Sequence, residues 1–348
     1  MWSNEKLLTV IVPVYKVEAY IVKCLESLIV PEPWMSRLEV IIVNDGTPDR
    51  SAEMSRQFTV CYPNTFRQID KENGGHGSAW NRGLSEASGK YVRFLDSDDW
   101  YSTPDFMKLL MALDTLDVDM VISNYNRYYV QKDTFEPMLI TKVKAGVIYD
   151  AATFPWTEQP WEVANFWRCT WRTGMLQKEQ PLFVEKVFYD DTKTQVAAVM
   201  LADTVCYLDL NIYNYLLGRP GQTMSPENQR KNYLHKFTTQ KDIFDFYLSH
   251  TASGEERNRY LTEKIKSWLL YEFYQLSRFP YQESRKYLSE WKAYYQKLAD
   301  RIGFTDYPLN TVRLFFTLPF PVYYYSRKIK DTLFSKDKEV GYSNWVEA

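Results

Sequence analysis

Tyr91-Val92-Arg93-Phe94-Leu95-Asp96-Ser97-Asp98-Asp99-Trp100 is a short strand-forming run that ends abruptly in three carboxylates. Carboxylates crowded at the mouth of a buried strand are costly unless they hold something positive. Asp96 and Asp98 flank one small serine, so their oxygens can converge on a single hard divalent cation, which can in turn hold a diphosphate. Asp99 is expected to support the loop. Acidic triplets also occur on solvated loops, so the surrounding chain decides what this one means.

Upstream, Leu7 to Tyr15 is an apolar, β-branched run read as a strand buried on both faces. Ile21, Cys24, Leu25 and Leu28 then fall on one helical face. Leu38 to Val43 is a second buried strand, ending in Asn44-Asp45-Gly46. Thr47-Pro48-Asp49 reads as a helix start with Thr47 as cap. Phe66 to Asp70 is a weaker strand, and Asn73-Gly74-Gly75-His76-Gly77-Ser78 is a glycine-rich turn opening a helix that Gly89 stops. Downstream, Pro104 to Leu116 is a helix and Met120 to Asn124 a strand. Strands alternating with helices imply parallel βαβ units in an open α/β sheet flanked by helices. Such sheets take their ligands outside the carboxyl ends of the strands, where Asp45, Asn73 and Asp96 all fall.

From 126 to 225 the pattern is mixed and rich in aromatics. Trp156, Trp161, Trp167 and Trp171 are candidates for an acceptor-site floor, with core packing expected for at least half of them. The segment from Ser225 to about Leu298 is helical. Residues 311–340 set six basic and three acidic side chains beside Leu314, Phe315, Phe316 and Tyr323 to Tyr325. That pattern suits an interfacial membrane segment and equally an element docked on the catalytic domain. The 348 residues carry a net charge of -2, so nothing global favours nucleic acid as a partner. The four cysteines are far apart, which argues against a zinc site or a disulfide framework and suits a cytoplasmic protein. Met1 to Lys6 offers no basic n-region before the first strand, and no apolar run approaches the roughly 20 residues needed to span a bilayer.

The ordered set Val10-Ile11-Val12-Pro13-Val14-Tyr15, Val43-Asn44-Asp45-Gly46, Asn73-Gly74-Gly75, Asp96-Ser97-Asp98, Tyr189-Asp190-Asp191 and Gly218-Arg219-Pro220-Gly221-Gln222-Thr223 resembles bacterial family-2 glycosyltransferases. The resemblance covers about residues 7 to 235, and the NGGHGS loop is similar to one subgroup. It implies a GT-A fold over 1–225, with a nucleotide-binding half (1–125), an acceptor-binding half (126–225) and a helical C-terminal region (226–348). By the same resemblance Tyr15 would stack on a uracil-like base and Asp45 would accept its N–H. Asn73, Gly74 and Gly75 would approach the nucleotide closely, and the N–H groups of the following helix start would be free for the diphosphate. Asp96 would touch the ribose and the metal shell, and Asp98 would bind Mn2+ or Mg2+. Arg219 and Gln222 would fold over the donor. Asp191 would be the base that deprotonates the acceptor hydroxyl, with Asp190 in the position where the family carries Glu, and single displacement would give inversion. The family commonly has Asp in place of Asn44. His76 is read as structural, with a functional role as the lesser alternative.

The implied activity is metal-dependent transfer of a sugar from a nucleotide-sugar, UDP-linked, to a hydroxyl of a glycan or lipid-linked glycan in surface polysaccharide synthesis. A lipid-linked acceptor would place the protein at the inner face of the cell membrane. A sugar nucleotidyltransferase is the rival enzyme, but Pro13-Val14-Tyr15-Lys16-Val17-Glu18 lacks the glycine-rich basic loop it needs. No GxGxxG follows the first strand, which disfavours a dehydrogenase. A non-catalytic nucleotide- or glycan-binding protein of the same fold is the rival of another class.

Overall fold

The computed structural model describes residues 5–219, 232–276, 281–302, 321, 322, 324 and 325. Gln222 and nearly all of 311–340 lie outside the described residues. The chain divides into two compact units, the first comprising Met1–Ile243 with Thr251–Arg257 and the second Phe244–His250 with Asn258–Ala348.

The first unit opens with β1 (Leu8–Val14), α1 (Ile21–Glu26), α2 (Trp34–Arg37), β2 (Leu38–Asp45), α3 (Ser51–Cys61), β3 (Phe66–Lys71), α4 (His76–Glu86) and β4 (Tyr91–Phe94). It continues through β5 (Trp100–Tyr101), α5 (Thr103–Thr115), β6 (Met120–Tyr129), β7 (Thr134–Met138), β8 (Ile148–Asp150), β9 (Cys169–Arg172), α6 (Thr173–Gln177), α7 (Thr194–Leu201) and β10 (Thr204–Leu217). All strands join one sheet, ordered β3-β2-β1-β4-β9-β6-β10-β5, with β7 beside β6 and β8 beside β10. The β3-β2-β1-β4 part is parallel, as the alternation requires. All seven residues of β1 are buried, which is why its sequence is apolar without a period of two.

Register aligns the strand exits. Val14 lies opposite Asn44, Asp45 opposite Lys71, and Ile11 opposite Phe94. The chain therefore leaves β1, β2, β3 and β4 on one side of the sheet, bringing Tyr15, Asp45, Asn73 and Asp96 to a common rim. Beyond β4 the sheet departs from simple alternation. β9 runs antiparallel between β4 and β6, and the fourteen-residue β10 runs parallel to β6 and antiparallel to β5.

Two local expectations are corrected. The helix after β2 starts at Ser51, not at Thr47-Pro48, because the Thr47 hydroxyl accepts from Lys16 N at 2.8 Å and donates to Asp49 Oδ1 at 2.7 Å. Asp49 Oδ1 instead accepts from Ser51 N at 3.1 Å and so guards the helix start. The expected strand 120–124 extends to Tyr129, carried outward by its pairing with β7 and β10.

The helices after β10 are α8 (Tyr233–Ser249), α9 (Glu255–Leu276) and α10 (Tyr281–Ile302). Within the second unit Trp291 is fully buried and meets Phe244 edge-on at 5.8 Å, while Tyr294 donates to Asp245 at 2.9 Å. Among the described residues no helix is long and apolar enough to cross a membrane.

Candidate active site

The acidic turn after β4 is built by residues distant in sequence. Asp99 is buried and plays a structural part: its carboxylate accepts from the Tyr213 hydroxyl at 2.5 Å and from Leu216 N at 2.8 Å, both on β10. Burial, then the charges of Asp98 and Asp96, push its carboxyl well above the usual range, and the two hydrogen bonds oppose that. Carboxylate oxygens of Asp96, Asp98 and Asp99 lie within 4.8 Å of one another. Asp99 is committed to β10, whereas the Asp96 and Asp98 carboxylates are not. Tyr213→Phe strands part of a buried carboxylate, and we expect it to cost about 1–3 kcal/mol in urea unfolding. Unchanged stability would mean that the turn is held without this bond.

Asp98 pairs with Arg219, whose Nε lies 2.7 Å from Asp98 Oδ2 and whose guanidinium sits 5.3 Å from the Tyr20 ring centre. Tyr20, Lys23, Trp100, Tyr128 and Arg219 line a pocket of about 280 Å³ beside Asp98. Tyr15 stands at the end of β1 with 44% of its surface exposed.

Asp45 is buried and already well bonded. Its carboxylate accepts from Gly74 N at 2.9 Å, Gly75 N at 2.8 Å and Lys71 Nζ at 2.7 Å, and its carbonyl accepts from Asn73 Nδ2 at 2.9 Å. These two glycine amides, which precede the helix start at His76, are therefore spent on Asp45. Gly75 adopts φ +87°, a conformation that suits glycine, and from it α4 begins.

His76, the first residue of α4, joins the two acidic turns. Its Nε2 lies 2.9 Å from Asp96 Oδ1 and its Nδ1 3.0 Å from Asp190 Oδ2. Burial alone would disfavour the cation, but the charges and hydrogen bonds of Asp190 and Asp96 hold the imidazole well above the usual histidine range. Asp190 and Asp191 open a 3-10 turn, Asp190–Lys193, that leads into α7. Asp190 is buried, whereas Asp191 is half-buried and its carboxylate accepts no hydrogen bond from another described residue. Burial and the neighbouring Asp190 charge push the Asp191 carboxyl up to about 7, with His76 pulling the other way.

Of the four tryptophans, Trp156 and Trp171 are core residues, while Trp167 is half-buried and stacks on Tyr215 at 4.4 Å. Sequence reading missed Tyr213 and Tyr215 on β10. It also did not reveal that His76 bridges Asp96 and Asp190, since its only local signal was a histidine inside a glycine-rich turn.

A curled, largely parallel sheet with an acidic turn at the exit of its fourth strand and a second acidic turn facing it defines a glycosyltransferase of the GT-A fold. Residues 9–171 match Glycosyl transferase family 2. The chain is 30% identical to an uncharacterized glycosyltransferase, MG025 of Mycoplasma genitalium, over 66% of this chain and 74% of that protein. It belongs to glycosyltransferase family 2. It is also 29% identical to the uncharacterized glycosyltransferase EpsJ of Bacillus subtilis, over 73% of this chain and 74% of EpsJ. Its fold is similar to that of S. aureus TarS 1-349 in complex with UDP-GlcNAc (TM-score 0.64, 18% identity, 93% of this chain and 89% of that one).

Proposed function

We propose that this glycosyltransferase moves a sugar from a UDP-sugar to a hydroxyl of a glycan or lipid-linked glycan in surface polysaccharide synthesis, with inversion and with Mn2+ or Mg2+ as cofactor. The observation that carries this reading is the pairing of two unlike acidic groups on one rim. The Asp96-Asp98 turn can take a cation, and Asp191 has a carboxyl near neutrality, suited to exchange protons at physiological pH.

The residues fit a hard cation: Asp96 and Asp98 supply oxygen donors, and Mg2+ or Mn2+ bound by one or two carboxylates takes its other ligands from water and substrate phosphates. Bound there, the cation would neutralise charge on the departing nucleoside diphosphate. The exposed ring of Tyr15 suits stacking on the base. Asp45 already accepts three hydrogen bonds, which favours a role in fixing the Asn73-Gly74-Gly75 loop over direct contact with the base. Arg219, with Gln222, is assigned to the diphosphate. Asp191 takes the acceptor proton as its oxygen attacks the anomeric carbon, and attack opposite the leaving group inverts that centre. The segment 126–225 is assigned to the acceptor and 311–340 to contact with the cell membrane's inner face. TarS holds UDP-GlcNAc in the same fold, which supports a uridine-linked donor.

Calorimetry with UDP, GDP, CDP and ADP, each with and without Mn2+, tests the donor assignment. Tight, metal-dependent binding selective for UDP is expected. Binding of none of the four would overturn it.

A further inference from the structure

We propose that His76 is a positioning residue that locks the Asp190-Asp191 turn to the acidic turn after β4. The group that takes the acceptor proton is thereby held at a set place relative to donor bound at Asp96 and Asp98. The inference rests on Asp191 acting as the base.

The imidazole spans two turns that share no other described side-chain hydrogen bond. Its Nε2 is 2.9 Å from Asp96 Oδ1, and its Nδ1 lies 3.0 and 3.2 Å from the two oxygens of Asp190. Among the described residues His76 is the only hydrogen-bond partner of the Asp190 carboxylate. The ring is itself fixed, lying 4.1 Å from the ring of Trp80 one helical turn on, which is fully buried.

The backbone around this link is shaped to bring Asp190 to it. Asn81 of α4 exchanges two hydrogen bonds with Phe183, at 2.8 and 3.0 Å, and Lys186 N donates to Gly74 O at 2.9 Å. A side chain at Gly77 would place its Cβ 2.5 Å from Val184 O and 2.7 Å from Asp190 Oδ2, so only glycine permits this approach. Lys186 and Tyr189 adopt φ of +61° and +68°, a left-handed conformation that non-glycine residues keep only where their surroundings impose it. A strained approach, a buried Asp190 and one tie across the site together make a turn that relaxes once the tie is removed. Asp191, adjacent in the chain and with a carboxylate that accepts no hydrogen bond from another described residue, then loses its aim. Misplacement of a reacting group by about 1 Å can cost on the order of 100-fold in rate.

The test uses the full chain and four variants: His76→Ala, His76→Gln, Asp190→Asn and the double variant His76→Ala/Asp190→Asn. Three quantities are measured: calorimetric affinity for UDP with Mn2+, and kcat and KM for UDP release. The substrate is whichever of UDP-glucose, UDP-galactose and UDP-N-acetylglucosamine is hydrolysed fastest. His76→Ala is expected to lower kcat on the order of 100-fold while UDP affinity stays within about threefold, and His76→Gln, which can keep one bond, recovers part of the rate. The double variant is expected to lose no more than the worse single one, because both remove the same link. Should His76→Ala not fold, His76→Gln and Asp190→Asn with their double variant supply the same cycle. Native-like kcat in His76→Ala, additive losses, or a loss confined to UDP affinity would each overturn the proposal. Asp191→Asn separates it from the base assignment. A native-like Asp191→Asn overturns the base, whereas an inactive Asp191→Asn beside a native-like His76→Ala overturns only the link.

Discussion

Asp191→Asn is expected to lower kcat on the order of 100- to 10,000-fold while leaving the affinity for UDP with Mn2+ nearly unchanged. The isosteric amide keeps the shape of the turn and removes the proton acceptor. Asp191 is the less buried of the acidic pair, and its carboxylate has no hydrogen-bond partner among the other described residues. Asp190, by contrast, is held by His76. The pH profile gives an independent check. Burial and the Asp190 charge raise the Asp191 carboxyl from the usual 3.8 to about 7. The base works deprotonated, so kcat/KM should rise with pH through about 7 and fall roughly tenfold per unit on the acid side. In Asp191→Asn that acid limb should vanish from the residual activity. Were Asp190→Asn to abolish turnover while Asp191→Asn spared it, the base would be the neighbouring residue.

Asp98→Ala is expected to reduce Mn2+-dependent UDP binding on the order of 100-fold, down to the affinity measured without metal. Asp98 and Asp96 are the two carboxylates of the turn not committed to β10, and each already has a partner, Arg219 for Asp98 and His76 for Asp96. Removing Asp98 leaves Arg219 available for the diphosphate. Binding of UDP without metal should therefore persist in Asp98→Ala, which separates loss of the cation from loss of the fold. Undiminished Mn2+-dependent affinity in this variant would remove the metal from Asp98. Asp99→Ala should behave differently. It breaks the bonds to Tyr213 and Leu216 and should show first as lost stability.

Much of the rim was legible because its residues act through local backbone. An apolar strand that stops at Asp96, a strand that stops at Asn44-Asp45 and a glycine pair before a helix each announce themselves within a few residues. Other features were illegible for want of a local signal. Short β9 pairs antiparallel with β4 and β6, and its Cys169-Thr170-Trp171-Arg172 is too brief to carry a period. Asp45 shows the limit from the other side. Its place at the rim was readable, but its bonds to Gly74, Gly75 and Lys71 depend on how β3 and the following loop fold back over β2.

Local pattern in the chain was enough for the sheet's parallel half, for the rim to which Tyr15, Asp45, Asn73 and Asp96 come, and for the family. Alternating strands and helices admit few topologies, and six ordered motifs seldom coincide by chance. Which side chains meet across that rim depended on the folded chain. Asp99 bonds to β10 while Asp96 and Asp98 bond to His76 and Arg219, and His76 reaches an aspartate 114 residues away. Long-range hydrogen bonds leave no local pattern in the chain, and burial beside like charges shifts a carboxyl such as Asp191 only once the fold has brought those charges together.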